Sequence, residues 1–222
     1  ILATPSTGLP QIASPEGLPQ ARLRRSRTAY ATLRWAPTRG GLCAPPANHC
    51  GLYGLRPTHG RVSLEGSLDL SPSFDTCSWF SRDIDTYARV ADVLLGADEK
   101  PLPAKPRLWM PTEIWALLSP EVRTALQPAL DLITRTHGAA QALDGFFGDF
   151  DELYWSFRYI QGREAWATDG DLITRYQPPL GPGVKDRFEW SRKVTDGQVS
   201  QAWAVRQRLT EKLEQALGDN GV

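Results

Sequence analysis

Four segments after residue 80 have the apolar spacing of a helix, the first two with start and stop signals as well, and this recurrence limits the possible folds. They are residues 81–96, 119–138, 149–170 and 195–221, the last with Gly218 beyond its helical part. In the first segment, Ser81 is the expected N-cap and Gly96 the stop signal; the second begins at Ser119 and ends at Gly138. A strand candidate at 106–111 lies between them. Helices that alternate with short strands predict an α/β fold.

The chain changes character near residue 46. Residues 1–46 contain many Pro, Gly and Arg residues and no sustained apolar period, a pattern typical of a loop or a disordered segment. From Ala47 onward, short β-prone pieces separated by Gly and Pro predict strands and tight turns. The sequence therefore predicts an irregular segment, 1–46, followed by a partial α/β domain, 47–222. The final residues, 218–222, indicate a helix end that enters a strand.

Composition narrows the class of protein. Hydrophobic residues make up 41% of the chain and eight residues are Trp, which favours a packed core over disorder. Lys and Arg total 25, as do Asp and Glu, so bulk charge predicts neither a nucleic-acid partner nor a membrane partner. Three cysteines without framework spacing favour free thiols in a reducing compartment. Since no apolar run has membrane-spanning length and no signal-peptide pattern begins the sequence, a cytoplasmic location is expected.

The stretch from Pro46 to Gly96 resembles the amidase-signature family. The residues that carry the resemblance are Pro46, Ala47, Cys50, Gly51, Gly54, Leu55, Pro57, Thr58, Gly60, Arg61, Val62, Ser63, Ser73, Phe74, Asp75 and Thr76. Residues 101–222 resemble the more variable part of the same fold. The resemblance implies an amidase-signature α/β fold with a mixed central sheet covered by helices, incomplete here at the N-terminus and at the C-terminus. It also implies hydrolysis of small-molecule carboxylic amides without a metal or an organic cofactor.

The chemistry of that family requires three groups that this chain lacks. A serine attacks the carbonyl, a second serine relays protons, and a buried lysine kept neutral is the base. In the family the nucleophile follows a glycine pair whose surroundings stabilise the oxyanion. Here Gly40 and Gly41 match that pair, but Leu42 occupies the nucleophile position. The family's base lysine lies upstream of this segment, whereas the lysines of this chain all lie downstream, from Lys100 onward.

A shifted reading frame over residues 12–45 explains the missing nucleophile. In that frame each residue takes its first base from the preceding codon and its other two bases from the codon at its own position. Residues 34–44 can then encode A-L-G-T-D-T-G-G-S-V-R, and residues 12–33 the glycine- and serine-rich sequence that precedes it in the family. The nucleophilic serine falls at Leu42 and the relay serine at Leu18. We interpret the segment as out-of-frame translation of the catalytic signature, through a gene lesion or a sequencing error, and expect this copy to be inactive.

Other residues suggest chemistry for which simpler explanations exist. Cys43 beside Gly41 suggests a cysteine nucleophile, but no histidine has motif spacing to it. His49 and Cys50 suggest a metal, but a pair lacks the three or four ligands that zinc needs, so no metal site is predicted and packing against the sheet is favoured. The arginines between Arg22 and Arg27 suggest a phosphate-binding patch. The shifted frame explains them as an artefact of GC-rich codons.

Substrate recognition has weaker candidates. Four aromatic residues are candidates for an amide-substrate pocket, because the variable region shapes specificity in the family. They are Trp155, Phe157, Tyr159 and Trp166. An aromatic helical face packed in the core is the alternative. Arg61 and Asp75, within the matched motif, are expected to fix local turns and hydrogen bonds rather than to perform chemistry.

Three hypotheses for function follow. The first is an amidase-signature hydrolase represented by a fragment whose catalytic segment is scrambled. The second is a non-catalytic binding or scaffold protein that retains the fold, and the third is a subunit of an aminoacyl-tRNA transamidating complex. A fragment that lacks part of its sheet exposes strand edges and apolar surface, so poor solubility is expected. The amide substrate and the oligomeric state stay open.

Overall fold

A computed structural model of the chain describes residues 33–38, 47, 49–98 and 101–222. The described residues fall into two compact units. The unit that we call the signature unit contains the described residues up to 98, together with 158–199. The terminal unit contains 101–157 and 200–222.

Strands and helices follow one another along most of the described chain. In chain order they are β1 (Leu33–Thr38), β2 (Tyr53–Leu55), β3 (Thr76–Ser81), α1 (Ile84–Leu95), β4 (Trp109–Pro111), α2 (Thr112–Ala116), α3 (Pro120–His137), β5 (Gln141–Leu143), α4 (Phe150–Tyr176), α5 (Pro182–Ser191) and α6 (Asp196–Leu217). The α/β class predicted from the sequence is confirmed. Among the described residues, no helix combines the length and the apolar character that a bilayer crossing requires.

The sheet of the signature unit has three strands in the order β1-β3-β2, and both pairings are antiparallel. Its central strand is buried: Ser78 is 0% exposed and Trp79 1%. The loop expected for residues 1–46 is therefore wrong at Leu33–Thr38, which pairs along its whole length with β3. Composition reports local preferences, whereas this strand depends on backbone hydrogen bonds to residues some forty positions away.

The N-cap of helix α1 lies two residues after the predicted one. The carboxylate of Asp83 is the N-cap and accepts a hydrogen bond from the Thr86 amide at 2.7 Å. Ser81, the predicted N-cap, instead ends β3 and donates its hydroxyl to the Asp83 carbonyl at 2.9 Å. Aspartate and serine are both good caps, so spacing alone did not separate them. Gly96 ends the helix as predicted, with a φ of 63° that favours glycine.

The terminal unit contains a parallel pair of strands, β4 and β5, with α3 between them in sequence. Parallel strands need such a crossover. The predicted strand at 106–111 is confirmed at its end, and α3 begins after Ser119 and stops at Gly138 as predicted, with Pro128 inside it. Strand β5 was not predicted. The expected strand after the last helix is present as a single parallel bridge between Arg107 and Gly221.

The long helix α4 and the short helix α5 pack closely within the signature unit. The rings of Tyr159 and Trp190 stack with centroids 5.9 Å apart, and the Arg158 guanidinium lies 5.0 Å from the Trp190 centroid. Gly162 lies beside them, and a Cβ atom built there would be 2.6 Å from the Trp190 ring and 3.1 Å from the Ser191 hydroxyl. The absence of a side chain at Gly162 therefore allows the two helices to approach.

We expect the Gly162→Ala variant to lower the free energy of unfolding by about 1–3 kcal/mol, because the added methyl group overpacks the α4–α5 contact. The control is Gly197→Ala in α6, where an added Cβ meets nothing within 4 Å. That change is expected to be neutral or to stabilise by up to about 1 kcal/mol. Urea unfolding followed by tryptophan fluorescence measures both. Equal effects of the two substitutions would contradict the packing argument.

Helix α2 is anchored by Glu113. Its carboxylate oxygen Oε1 accepts a hydrogen bond from the Phe147 amide at 2.7 Å. This hydrogen bond lowers the pKa of Glu113 below its ordinary value of 4.5, because the amide favours the charged carboxylate. A carboxyl group with a lowered folded-state pKa stabilises the protein above its unfolded pKa, and loses that contribution as the pH falls through the folded-state pKa.

We therefore expect the stability that depends on Glu113 to be present above pH 4.5 and to disappear below it. The measurement compares urea midpoints of the wild type and Glu113→Gln between pH 6 and pH 3. The difference between the two proteins should shrink as the pH falls. Glu214→Gln, at an exposed carboxylate of α6, is the control and should parallel the wild type. A difference between wild type and Glu113→Gln that does not change with pH would contradict the expectation.

Candidate functional site

The strand register places the ends of β1 and β2 and the start of β3 at one end of the three-stranded sheet. We call this end the signature edge. Thr38 at the end of β1 pairs with Thr76 at the start of β3, and β2 is also antiparallel to β3. The chain therefore leaves β1 and β2 at the same end at which it enters β3. Strand β1 ends four residues before Leu42 (38 to 42). Leu42, at the predicted nucleophile position, itself lies outside the described residues.

Asp75 organises the loop that leads into β3. It is 7% exposed, and its oxygen Oδ2 accepts hydrogen bonds from the amides of Leu70 and Ser71, both at 2.8 Å. The amides of Phe74 and Asp75 in turn donate to the Ser71 carbonyl, at 2.8 Å and 2.9 Å. The second carboxylate oxygen, Oδ1, is buried and has no hydrogen-bond partner among the described residues. Asp75 therefore acts on the backbone of its own loop.

Glu164 holds the same loop from helix α4. The Ser71 hydroxyl donates to its Oε2 at 2.5 Å, and the Ser73 amide donates to the same oxygen at 3.2 Å. Ser71 is fully buried, so this carboxylate satisfies a hydroxyl that water does not reach. The sequence analysis missed Glu164. One signal was available: Glu164 lies four residues after Ile160, which is 1% exposed, so it is an acidic residue on a buried helical face.

The turn that precedes the Asp75 loop contains glycines in the backbone conformation that favours glycine. Gly51 has a φ of 62° and Gly60 a φ of 77°, values that a side chain disfavours. Pro57 is buried, whereas Cys50 is exposed. Gly54 is the middle residue of β2.

Two arginines tie this turn to neighbouring segments. The Arg56 guanidinium donates to the Phe74 carbonyl at 3.1 Å and so connects the end of β2 to the Asp75 loop. Arg61 donates to the Ala97 carbonyl at 2.8 Å, just after α1. Both bonds are solvent-exposed, so the structure places Arg61 in a surface contact of the turn.

The predicted catalytic positions lie outside the described residues. They are Leu18 at the relay position, Leu42 at the nucleophile position, Gly40 and Gly41 at the oxyanion site, and Pro46 at the start of the matched motif. Cys43 and the Arg22–Arg27 cluster also lie outside the described residues. In the part of the chain that the structure describes, no three His, Cys, Asp or Glu residues are grouped to hold a metal, and His49 and Cys50 are both exposed.

The aromatic pocket candidates do not come together in one unit. Trp155 and Phe157 belong to the terminal unit, whereas Tyr159 and Trp166 belong to the signature unit. Tyr159 stacks on Trp190. Trp166 covers Gly170 of its own helix, where an added Cβ would be 2.8 Å from the indole. Within the signature unit, these contacts are those of packed helical faces.

A cavity of about 230 Å³ lies in the terminal unit, and none of the four aromatic candidates lines it. Its lining includes Phe146, Leu153, Val205 and Leu209, together with Arg208 and Lys212. Both cations are engaged: Arg208 pairs with the Glu152 carboxylate at 3.1 Å, and Lys212 donates to the Phe146 carbonyl at 2.6 Å. The cavity therefore offers no uncommitted lysine.

Comparison with known proteins finds amidases among the similar sequences and structures. The family model described as Amidase matches residues 40–129, a range that contains the Pro46–Gly96 stretch. Over these residues the chain is similar to the amidase family. Amidase 1 of Arabidopsis thaliana is 27% identical over 212 residues, which are 82% of this chain and 50% of that protein. A glutamyl-tRNA(Gln) amidotransferase subunit of Methanothermobacter thermautotrophicus is 34% identical over 125 residues, 54% of this chain and 27% of that protein.

The solved structures show the same fold. A crystal structure of an amidase superimposes with a TM-score of 0.70 at 23% identity, over 84% of this chain and 43% of that one. The urea amidolyase of K. lactis superimposes with a TM-score of 0.66 at 18% identity, over 85% of this chain and 12% of that one. The chain thus has the amidase-signature fold, and it spans about half the length of the Amidase 1 proteins that it matches.

We expect Asp75→Ala to lower the free energy of unfolding by roughly 3 kcal/mol, because two backbone amides in a buried loop lose their acceptor. The matched control is Asp69→Ala, six residues earlier on an exposed position of the same loop region. That variant should stay within about 0.5 kcal/mol of the wild type. Urea titration with circular dichroism detection measures both. Indistinguishable midpoints for the two variants would show that the Asp75 hydrogen bonds contribute nothing.

Proposed function

We propose that this chain derives from an amide hydrolase with a serine nucleophile, and that in its printed form it does not catalyse the reaction. The observation that carries the proposal is Leu42, which follows Gly40 and Gly41 at the nucleophile position of an otherwise matched signature. An alkyl side chain has no lone pair with which to attack a carbonyl. The parts of the signature edge that position backbone are retained, and the group that performs chemistry is replaced.

The intact reaction would need the chemistry that residues 12–45 encode in the shifted frame. A serine at position 42 would attack the amide carbonyl, and one at position 18 would relay protons to the leaving group. The backbone amides around Gly40 and Gly41 would stabilise the oxyanion. A lysine upstream, held neutral by burial, would be the base. Loss of the amine would leave an acyl ester on the serine, and water would hydrolyse that ester and free the serine. The products would be a carboxylic acid and ammonia or an amine, with a small-molecule amide as substrate and no metal or organic cofactor.

A non-catalytic role is the second candidate, and the surface of the described residues favours it. Eighteen large hydrophobic side chains are exposed there, whereas nine hydrophobic residues are buried. Surface of this kind is typical of protein contacts or of an incomplete domain. Membership of a transamidating complex is the third candidate, supported by the likeness to a subunit of the glutamyl-tRNA(Gln) amidotransferase of Methanothermobacter thermautotrophicus. The exposed Cys50 and buried Cys77 are free thiols, in keeping with a reducing, cytoplasmic setting.

The origin of the chain is tested by sequencing the genomic DNA across codons 1–50 and several hundred bases upstream. A single open frame that encodes the glycine- and serine-rich signature and an upstream lysine would identify an ordinary amidase whose printed sequence is in error. Two compensating insertions or deletions in the DNA would identify a decayed gene. DNA that encodes residues 12–45 as printed, with neither change, would overturn the frame-shift explanation.

The inactivity of the printed chain is tested by ammonia release from a panel of aliphatic and aromatic amides. We expect no turnover above buffer from the purified chain. Leu42→Ser should also be inactive, because the relay serine and the base lysine remain absent. Turnover that co-purifies with the printed chain and disappears in Asp75→Ala, while a mock purification is silent, would contradict the proposal.

A further inference from the structure

Two carboxylates bind the loop that precedes β3, one from within the loop and one from a helix far along the sequence. Asp75 binds amides within its own loop, whereas Glu164 binds the same loop from α4, across 93 positions of sequence. One oxygen of Glu164 receives both the Ser71 hydroxyl at 2.5 Å and the Ser73 amide at 3.2 Å. Hydrogen bonds to a carboxylate are stronger than bonds between neutral groups. Glu164 therefore restrains the loop from a long helix.

Arg163, the residue before Glu164, binds a different segment. Arg163 donates to the Val194 carbonyl at 2.7 Å and pairs with the Asp196 carboxylate at 2.7 Å. That pair ties α4 to the segment after α5, so the two neighbouring charges on α4 serve two different attachments. Glu164, by contrast, binds the loop at the signature edge.

A restraint on this loop continues into the sheet. Thr76, the first residue of β3, follows Asp75 directly and pairs with Thr38, the last residue of β1. The Phe74 carbonyl also receives the Arg56 guanidinium from the turn after β2. A displacement of the loop therefore shifts the point at which β1 is held, four residues before the nucleophile position at Leu42 (38 to 42).

We propose that Glu164 is a positioning residue: through Ser71 and Ser73 it fixes the start of β3, and through the β3–β1 pairing it fixes the strand end that leads to the nucleophile position. The significance of that strand end rests on the proposed function. The coupling from α4 to β1 does not, because it is a property of the fold that a chain without activity also has.

The test is hydrogen–deuterium exchange, measured by mass spectrometry, on the full chain of 222 residues. Glu164→Ala is expected to speed exchange about tenfold or more in residues 70–81 and in β1, because the buried Ser71 hydroxyl and the Ser73 amide lose their acceptor. Exchange in β4 and β5 should not change. Glu164→Gln keeps an acceptor oxygen and should restore most of the protection.

Two controls make the result decisive. Glu189→Ala removes an exposed acid of α5 that pairs only loosely with Lys185, at 3.7 Å, and should leave exchange in β1 unchanged. Ser71→Ala removes the hydroxyl alone and replaces Glu164→Ala if that variant does not fold. Faster exchange in 70–81 with unchanged exchange in β1 would overturn the proposal, as would a Glu164→Gln variant that behaves like Glu164→Ala. Because no readout depends on turnover, the gene-sequencing result and this result can fail independently.

Discussion

The pairing of β3 with a strand on each side is the constraint on which the signature unit depends. A central strand has to match its backbone hydrogen bonds to both neighbours, so the point at which it begins sets the register of all three strands. In this chain the start of β3 is held by Asp75 and Glu164. Their carboxylate oxygens accept hydrogen bonds from backbone amides and from a hydroxyl of the preceding loop. The buried Trp79 then fills the centre of the strand.

This division between scaffold and chemistry explains how a chain with Leu42 at the predicted nucleophile position has the amidase-signature fold. The described parts of the signature are glycines with positive φ, a buried proline and acceptors for backbone amides, and all of them shape the main chain. Even β1, whose side-chain sequence we attribute to the wrong frame, pairs with β3 over six residues. Strand pairing uses backbone groups that nearly every residue supplies, whereas catalysis needs particular side-chain atoms.

Local signals predicted part of this architecture and missed the rest for identifiable reasons. Helix α3 has its cap, its first-turn proline and its terminal glycine within one contiguous segment, so the sequence located both of its ends. Strands β3 and β5 escaped because they lack such signals, and helix α5 escaped because, although it begins with Pro182, it has no side-chain cap. The cap of α1 was misplaced because two good caps, Ser81 and Asp83, lie two residues apart.

The sequence by itself determined the resemblance to the amidase-signature family and both ends of helix α3, since each is a matter of which residues stand at which spacing. Only the tertiary structure decided which buried groups satisfy one another. Glu164 and Ser71 meet because α4 packs beside the loop, and nothing in the 93 positions between them encodes that contact locally. Burial removes water as an alternative partner, and it is burial that turns an ordinary glutamate on a helix into an anchor for the start of β3.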